Sequence, residues 1–430
     1  MIESFVFFLY QAFLAILPPI AVLILGYITF KIWLHYIQQD FISGIEFVVL
    51  EIIPPRDVLR SPKAMELFIS NALYHWSNKG GREEYWQGAV WFWFSLEIAS
   101  IEGQVHFYIR TPSRLKELIE TQMYAQYPQS QVKVVEDYTL AVDEISPKSE
   151  WNGWGCEFGL KKHEAFPIKT YVDYGLDKDP KEEYKVDPIS PVIELFGSLG
   201  KGEQAWVQII VTPSKRAYHT PGTYFGTHDW VAEAKMEMKK RLMPYTRLQK
   251  SIIEGQYAQE IRTPDYLKDV IKGMTAKTEK LGFETGIRLM YVAKKESFRM
   301  NTRRNIRLIF RQYAKPDSNQ FERINSAQAD AYSGTFSASE RTVMLLANRM
   351  LHEYRERAFF HLPMRHHLFS QVTIPWPWSG IVKAFVHHQT YVLNTEELAT
   401  IYHFPGQILK VPTLERIESK EAAPPTNLPV

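Results

Sequence analysis

The segment FVFFLYQAFLAILPPIAVLILGYITF spans Phe5 to Phe30 and carries no formal charge, and the rest of the chain is organised around this stretch. A helix rises ~1.5 Å per residue, so a helix over this stretch crosses a hydrocarbon core of ~30 Å with some tilt. A cleavable signal peptide has a basic start, a shorter apolar core and a small-residue cleavage site. Here Glu3 precedes the stretch and no A-x-A motif follows it. We therefore predict a permanent transmembrane anchor over residues 1–38; the alternative is an apolar helix buried in a soluble core.

The charges around this stretch predict its orientation. Only Glu3 and the start amine precede it, and basic residues follow it. The first of these are Lys31, His35, Arg56, Arg60 and Lys63. Because basic residues favour the cytoplasmic side, we expect a single-pass protein of the cell membrane with the bulk of the chain in the cytoplasm. Trp33 and Tyr36 come directly after the stretch, where the aromatic residues of a membrane–water interface are expected.

The composition limits the class of protein. Hydrophobic residues make up 45% of the 430 residues and aromatic residues 14%, which is enough for sizeable cores. The single cysteine, Cys156, excludes an internal disulfide framework and a thiolate metal cluster, in keeping with a reducing cytoplasm. We interpret it as a plain buried thiol, with a nucleophile as the alternative. A net charge of only +2 restricts any nucleic-acid footprint to a local patch.

The first segment after the anchor, residues 45–140, has the element order β-α-β-β-α-β. Pro54-Pro55 ends the first predicted strand, Ser61-Pro62 opens a helix, and Glu102-Gly103 marks a hairpin. The predicted strands are Ile45–Ile53, Val90–Ser100, Gln104–Arg110 and Gln131–Asp137. This order is typical of a ferredoxin-like module.

The pattern then repeats over residues 165–326. Ser190-Pro191 repeats Ser61-Pro62, and Thr212-Pro213-Ser214 repeats Thr111-Pro112-Ser113. The predicted elements are strand Ile168–Asp173, a helix to Leu199, strands Ala205–Val211 and Gly286–Ala293, helix Phe298–Tyr313 and strand Phe321–Asn325. We predict a second ferredoxin-like module, interrupted by a helical insertion over residues 215–283. The fold class is therefore α+β.

Two segments follow the second module. Residues 335–409 are predicted to be helical and irregular, with one helix from Ser339 to about Phe359 and irregular chain around Ile374–Trp378 and Val386–His388. Residues 410–430 form a Pro-rich tail that we expect to be extended.

Motifs for nucleotide or metal chemistry are missing from the sequence. The nearest stretch to a phosphate-binding loop, Gly197–Gly202, lacks the lysine and hydroxyl at the required places. The late histidines match no ligand spacing of known metal sites. They are His352, His361, His366, His367, His387, His388 and His403. We expect no catalytic residues, no cofactor and no metal; the alternative is an enzyme of unrecognised type that uses this His-rich region.

The sharpest local signal is a stripe of arginines. Arg299, Arg303, Arg307 and Arg311 recur every four residues, which places them on one face of a helix, and Arg304 adds to the charge. Such a stripe suits a partner protein, nucleic acid or anionic lipid. The alternative is a solvated face that is neutralised by acids elsewhere. Candidate acids are Asp177, Asp179, Glu182 and Glu183.

Two segments carry a resemblance to a known family. They are FSLEIASIEGQVHFYIRTPSRLKELIETQMYAQYPQSQVKVVEDY (Phe94–Tyr138) and NTEELATIYHFPGQILKVPTLERIESKEAAPPTNLP (Asn394–Pro429). The chain resembles the membrane-anchored amino-terminal region of conjugation-type ATPases, the motor and coupling proteins of type IV secretion. In that family the Pro-rich segment leads into a RecA-like motor with a phosphate-binding loop. The resemblance therefore implies a partner, a separately encoded motor ATPase.

These observations together predict a non-catalytic, membrane-anchored scaffold or adaptor of a conjugation-like translocation apparatus. We expect it to form a homo-oligomer and to contact its partners through the arginine stripe and the Pro-rich tail. An alternative is a membrane tether that binds nucleic acid through the basic helix.

Overall fold

The computed structural model describes residues 2–55, 60–75, 79–177, 186–214, 218–219, 227–250, 257–261, 264–324, 340–361 and 390–406. The predicted irregular chain around Ile374–Trp378 and Val386–His388 and the predicted tail 410–430 lie outside these residues.

The amino-terminal helix, α1, runs from Ile2 to Ser43 and passes through the Pro18-Pro19 pair. From Leu17 to Ser43 it is long and apolar enough to cross a membrane, and only 6% of its most apolar window is buried. Val22 and Leu25 are 67% and 62% exposed, whereas Leu34 near the other end is 1% exposed. The predicted apolar helix is confirmed; its length and composition fit both a permanent anchor and a signal sequence.

The first four strands form one group. Their bounds are β1 Phe47–Ile53, β2 Phe94–Ile101, β3 Gln104–Pro112 and β4 Gln131–Val135. The helices of this part are α2 Lys63–Phe68, α3 Gly81–Trp86 and α4 Lys116–Gln126. The strands lie in the order β4-β1-β3-β2, with every pair antiparallel. Glu102 and Gly103 both have positive φ, 52° and 87°, and close the predicted hairpin as a two-residue turn.

A second group of four strands has the same internal order. Its elements are β5 Trp151–Leu160, α5 Ser190–Gly197, β6 Glu203–Ser214, β11 Gly282–Lys294, α8 Met300–Ile306 and β12 Phe321–Ile324. The spatial order is β12-β5-β11-β6, again antiparallel throughout. Between β6 and β11 the chain forms β7 Tyr218–His219, β8 Thr227–His228, α6 Trp230–Leu242, β9 Thr246–Lys250, β10 Tyr257–Ile261 and α7 Asp265–Thr278. The helices expected in the insertion are therefore present as α6 and α7.

The two groups join into one sheet. β2 pairs with β6, and the late strand β13, Tyr391–Asn394, pairs with the first residues of β11. Nine strands of the described chain thus belong to a single antiparallel sheet. The remaining helices are α9, Glu340–Glu356, and α10, Thr395–Ile401. The coarse prediction of a mixed α+β fold is confirmed, and the predicted segment boundaries stay predictions.

Both faces of the central strands are covered, which explains why β6 is buried at every position. Alternate residues of a strand point to opposite faces. Leu289 and Tyr291 of β11 pack into the large core beneath α2, α4, α5, α8 and α10. Met290 and Val292 face the other way and pack with Leu351 of α9. α9 therefore covers the sheet face opposite to α2, α4, α5, α8 and α10.

Two element predictions were wrong. The predicted strand Ile168–Asp173 is an irregular stretch followed by a turn, and the strand in its place is β5. Glycines 153 and 155 lower the strand propensity of β5, but they let Ile145 and Met290 lie against its backbone. The predicted helix Phe298–Tyr313 is also shorter: α8 ends at Ile306, and turns follow it.

Candidate functional site

The structure divides the five predicted contact arginines between different roles. Because α8 has only seven residues, Arg307 and Arg311 lie beyond its end and the predicted single helical stripe does not form. Arg304 and Arg311 are exposed, and neither forms an ion pair with the described chain. Arg303 lies 5.8 Å from the ring of the buried Trp154, and Arg307 is half-buried with a partnerless Nε in the described structure.

Arg299 is committed to an internal carboxylate. Its Nε donates to Glu203 Oε1 at 2.9 Å and its Nη2 donates to Oε2, while the hydroxyl of Tyr291 donates to Oε1 at 2.5 Å. Burial opposes ionisation of Glu203, but these hydrogen bonds hold its pKa below the ordinary value. Burial, and then the contact with Glu203, raises the pKa of Tyr291 to about 12. Arg299 thus closes the turn into α8. Its charge is neutralised by an acid from elsewhere in the chain, as the alternative interpretation of the arginine stripe expects, but that acid is Glu203 and not one of the four candidates.

A surface cavity of about 580 Å³ lies between the end of α5 and α8. Its lining residues are Leu195, Ser198, Arg299, Met300, Asn301, Thr302 and Asn305. The hydroxyl and amide groups there are hydrogen-bond donors and acceptors that suit a polar ligand. No carboxylate is among the lining residues, so the cavity has no acid–base pair of its own.

The predicted His-rich region is only partly described. His366, His367, His387 and His388 lie outside the described residues, and His352 and His361 are half-buried. Among the described residues, no three His, Cys, Asp or Glu side chains converge as metal ligands would. His403 is buried and holds Asp187 at 2.9 Å through Nε2.

Cys156 lies within β5 and is fully buried. Burial raises the pKa of its thiol well above the ordinary value. A thiol in this state is a poor nucleophile, so its environment agrees with the structural interpretation.

The junction between α1 and the body is a close packing contact. Leu34 and Ile37 of α1 are buried, and the ring of Phe30 lies 6.3 Å from that of Tyr85 on α3. Gly88, with φ of +65°, lies so close to α1 that a Cβ there would approach the Ile37 carbonyl oxygen to 2.2 Å. The apolar helix is therefore docked on the body at one end and exposed over residues 17–29. Sequence analysis missed this contact because a loop glycine carries no long-range signal.

Cationic and aromatic side chains surround the same junction. Lys79 lies over the rings of Phe41 of α1 and Phe92, at 5.4 and 5.7 Å from their centroids. The guanidinium of Arg114 lies 3.8 Å from the ring of Phe92. Arg110 lies 3.7 Å from the ring of Phe47, which packs in the same cluster as Phe41. Such contacts leave the N–H groups of a cation available to an anion.

Comparison with known proteins gives one family. A family model described as a domain of unknown function, DUF8128, matches residues 92–412, about three quarters of the chain. The match begins just before β2 and ends beyond α10, and so includes the insertion and α9. A search of the curated proteins returns no match. The extent of the match shows that the chain belongs to the DUF8128 family.

Proposed function

We propose that the protein is a non-catalytic, membrane-anchored scaffold or adaptor of a type IV secretion or conjugation-like translocation apparatus, working with a separately encoded motor ATPase. The observation that carries the proposal is α1: Val22 and Leu25 are exposed, whereas Leu34 and Ile37 are buried against the body. This arrangement suits a helix that crosses a bilayer and holds the folded body at the bilayer surface. The basic residues after the helix favour a cytoplasmic body.

We assign the two groups of strands to ferredoxin-like modules. In each group the strands lie in the order fourth, first, third, second, and a helix follows the first and the third strand. This is the split β-α-β arrangement. The second module carries the insertion with α6 and α7, which presents the exposed side chains of Met236 and Tyr266. These residues are our candidates for contact with the motor, whose class is implied by the resemblance of Phe94–Tyr138 and Asn394–Pro429.

Photo-crosslinking in cells tests the motor partnership. A photoreactive amino acid replaces Met236 or Tyr266, and the matched control replaces Leu345, which is equally exposed but lies on α9. The proposal expects an ATPase with a phosphate-binding loop to be captured from the insertion positions and not from position 345. It also expects the purified chain to lack ATP hydrolysis. Unaided hydrolysis by the purified chain, or capture of no ATPase, contradicts the proposal.

We also propose that the protein forms a homo-oligomer. β4 and β12 end the sheet of the described chain, and Val134 of β4 is 52% exposed. Open strand edges of this kind pair readily with another strand. Native mass spectrometry of the full chain in detergent is expected to show a complex of two or more chains of 50.2 kDa each. A monomer at cellular concentration contradicts this part of the proposal.

A nucleic-acid tether is the second candidate, and the exposure of Arg304 and Arg311 favours it. Phosphate contacts make binding strongly dependent on salt. If the tether is correct, fluorescence anisotropy with duplex DNA shows binding that weakens with salt and is abolished in the R304E/R311E variant. Unchanged binding by that variant excludes these residues as the contact.

A further inference from the structure

Two cations share one aromatic ring at the end of α1. Lys79 and Arg114 lie over the ring of Phe92, at 5.7 and 3.8 Å from its centroid. Lys79 also lies 5.4 Å from the ring of Phe41 on α1, and its ammonium donates to the carbonyl oxygen of Val90. We call Lys79, Phe92 and Arg114 the Phe92 cluster. It connects the membrane helix, the loop before β2 and the turn before α4.

The cluster lacks a neutralising acid within the described chain. Neither Lys79 nor Arg114 lies within ion-pair distance of a described carboxylate, and Arg114 is exposed. Glu83 and Glu84 of α3 act on Lys79 from farther away, and Glu83 accepts a hydrogen bond from the N–H of Gly80 at 3.1 Å. Burial, and then the charge of Arg114, lowers the pKa of Lys79 to about 8, against the weaker influence of these acids. An anion between the two cations relieves this repulsion.

The position of the cluster along α1 indicates which anion it meets. Trp33 and Tyr36 are 45% and 56% exposed on the body side of the apolar stretch. Exposed Trp and Tyr residues at the end of a membrane helix are typical of the membrane–water interface. Phe41 follows Tyr36 by five residues, which is roughly 7–8 Å along a helix. The cluster therefore lies just beyond the aromatic belt, at the depth of lipid headgroups.

We infer that Lys79 and Arg114 bind the phosphate of an anionic phospholipid headgroup where α1 leaves the bilayer. The Arg114 fork binds two phosphate oxygens and the Lys79 ammonium contributes a third contact, while Phe92 holds both stems in place. The inference rests on the proposed membrane anchoring by α1. It gives the body a fixed height and tilt against an acidic leaflet.

A lipid titration of the detergent-solubilised full chain tests the inference. The ligands are short-chain phosphatidylglycerol, short-chain phosphatidylcholine and inorganic phosphate, and binding is followed by isothermal calorimetry. We expect that, of the three ligands, only phosphatidylglycerol binds saturably. Its affinity should be about tenfold lower, or lower still, in the K79Q/R114Q variant. The K235Q/K239Q variant removes the same charge from an exposed site on α6 and is expected to bind as the parent does.

The pH dependence of lipid binding provides a second test. Because the lysine loses its charge near pH 8 in the free protein, affinity for phosphatidylglycerol should fall between pH 7 and pH 9. The K79R variant keeps its charge and should lose this dependence. Equal binding of both lipids, full affinity in K79Q/R114Q, or saturation by inorganic phosphate alone overturns the inference. Failure of the membrane anchoring is seen separately, as release of the chain from membranes, because the titration is performed in detergent.

Discussion

Arg357 shows how single residues attach α9 to the sheet. It lies just past the end of α9 with φ of +50°, and its guanidinium is fully buried. Its Nε and Nη2 donate to the two carboxylate oxygens of Glu97 on β2, both at 2.9 Å, and Nη1 donates to Asp137. Tyr138 and Ser95 also donate to Glu97, so the buried carboxylate is well satisfied.

Replacing Arg357 by methionine should destabilise the protein by about 3–5 kcal/mol, because the buried Glu97 would lose its ion-pair partner and two hydrogen bonds. Chemical denaturation of the purified full chain in detergent measures the free energy of unfolding. The E97Q/R357M double variant should lose less than the sum of the single variants. The control K294Q removes a lysine from an exposed pair with Glu150 and should cost less than about 1 kcal/mol. A small loss in R357M would show that the pair contributes little.

The pair of the half-buried Asp187 and the buried His403 predicts that the stability of the protein depends on pH. His403 Nε2 lies 2.9 Å from Asp187, and Nδ1 lies 2.9 Å from the carbonyl oxygen of Ala399. Burial opposes ionisation of Asp187, but the His403 charge and the hydrogen bonds lower its pKa below the ordinary value. A depressed folded-state pKa contributes stability that is present above about pH 4 and is lost as the pH falls through the folded value.

The D187N variant should therefore be less stable than the parent by about 1–3 kcal/mol at pH 7. The difference should narrow as the pH is lowered from 7 towards 3, because the parent then loses the same charge. Thermal unfolding across this range measures it. A difference that stays constant with pH would indicate a packing role for Asp187 instead.

At the residue scale, sequence reasoning found the basic side chains and missed their partners. The spacing of Arg299 to Arg311 predicted one stripe, but the helix ends after Ile306. Glu203, the partner of Arg299, is 96 positions away in sequence, and no local pattern connects the two. Lys79 and Arg114 carried no signal because their convergence on Phe92 depends on the fold.

At the scale of elements, local signals succeeded where a turn or a strong periodicity was present. Glu102-Gly103 predicted the hairpin, and the apolar residues of α9 predicted a helix close to its observed bounds. β5 was missed because its glycines hide the strand pattern, although they allow Ile145 and Met290 to pack closely. β13 was missed because a four-residue strand has little periodicity of its own. α10, with only seven residues, was missed for the same reason.

The close contact between Gly88 and α1 leads to a prediction about how α1 is fixed to the body. A Gly88→Ala substitution places a methyl group 2.2 Å from the carbonyl oxygen of Ile37 and strains a backbone with φ of +65°. We expect it to loosen the end of α1 and to cost about 1–3 kcal/mol. Hydrogen exchange of the α1 segment around Leu34 and Ile37 should rise in the variant.

The matched control is Gly26→Ala, which lies in α1 itself, where the added methyl group meets no other part of the described chain within 4 Å. It should leave hydrogen exchange around Leu34 unchanged. If Gly88→Ala also leaves it unchanged, the loop does not hold α1 against the body.

At the scale of the whole molecule, the order of elements predicted the α+β class, and the joining of the two groups of strands was not predicted. The pairing of β2 with β6 depends on two strand edges more than 100 residues apart, and side-chain periodicity says nothing about which edges meet. Once joined, both central strands are buried on two faces, and this burial includes polar side chains such as Glu97 and Gln208.

Alkaline extraction of membranes from cells that make the full chain shows whether α1 is a retained anchor. We expect the chain to stay in the carbonate-washed pellet with the α1 residues intact. The V22K/L25K variant should move to the soluble fraction, because each lysine at the helix centre costs about 2.5–3.5 kcal/mol of insertion free energy. The apolar control V22I/L25V should behave as the parent does. Recovery of the parent chain in the soluble fraction without detergent, or loss of α1 by cleavage, would contradict a retained anchor that holds the body at the bilayer.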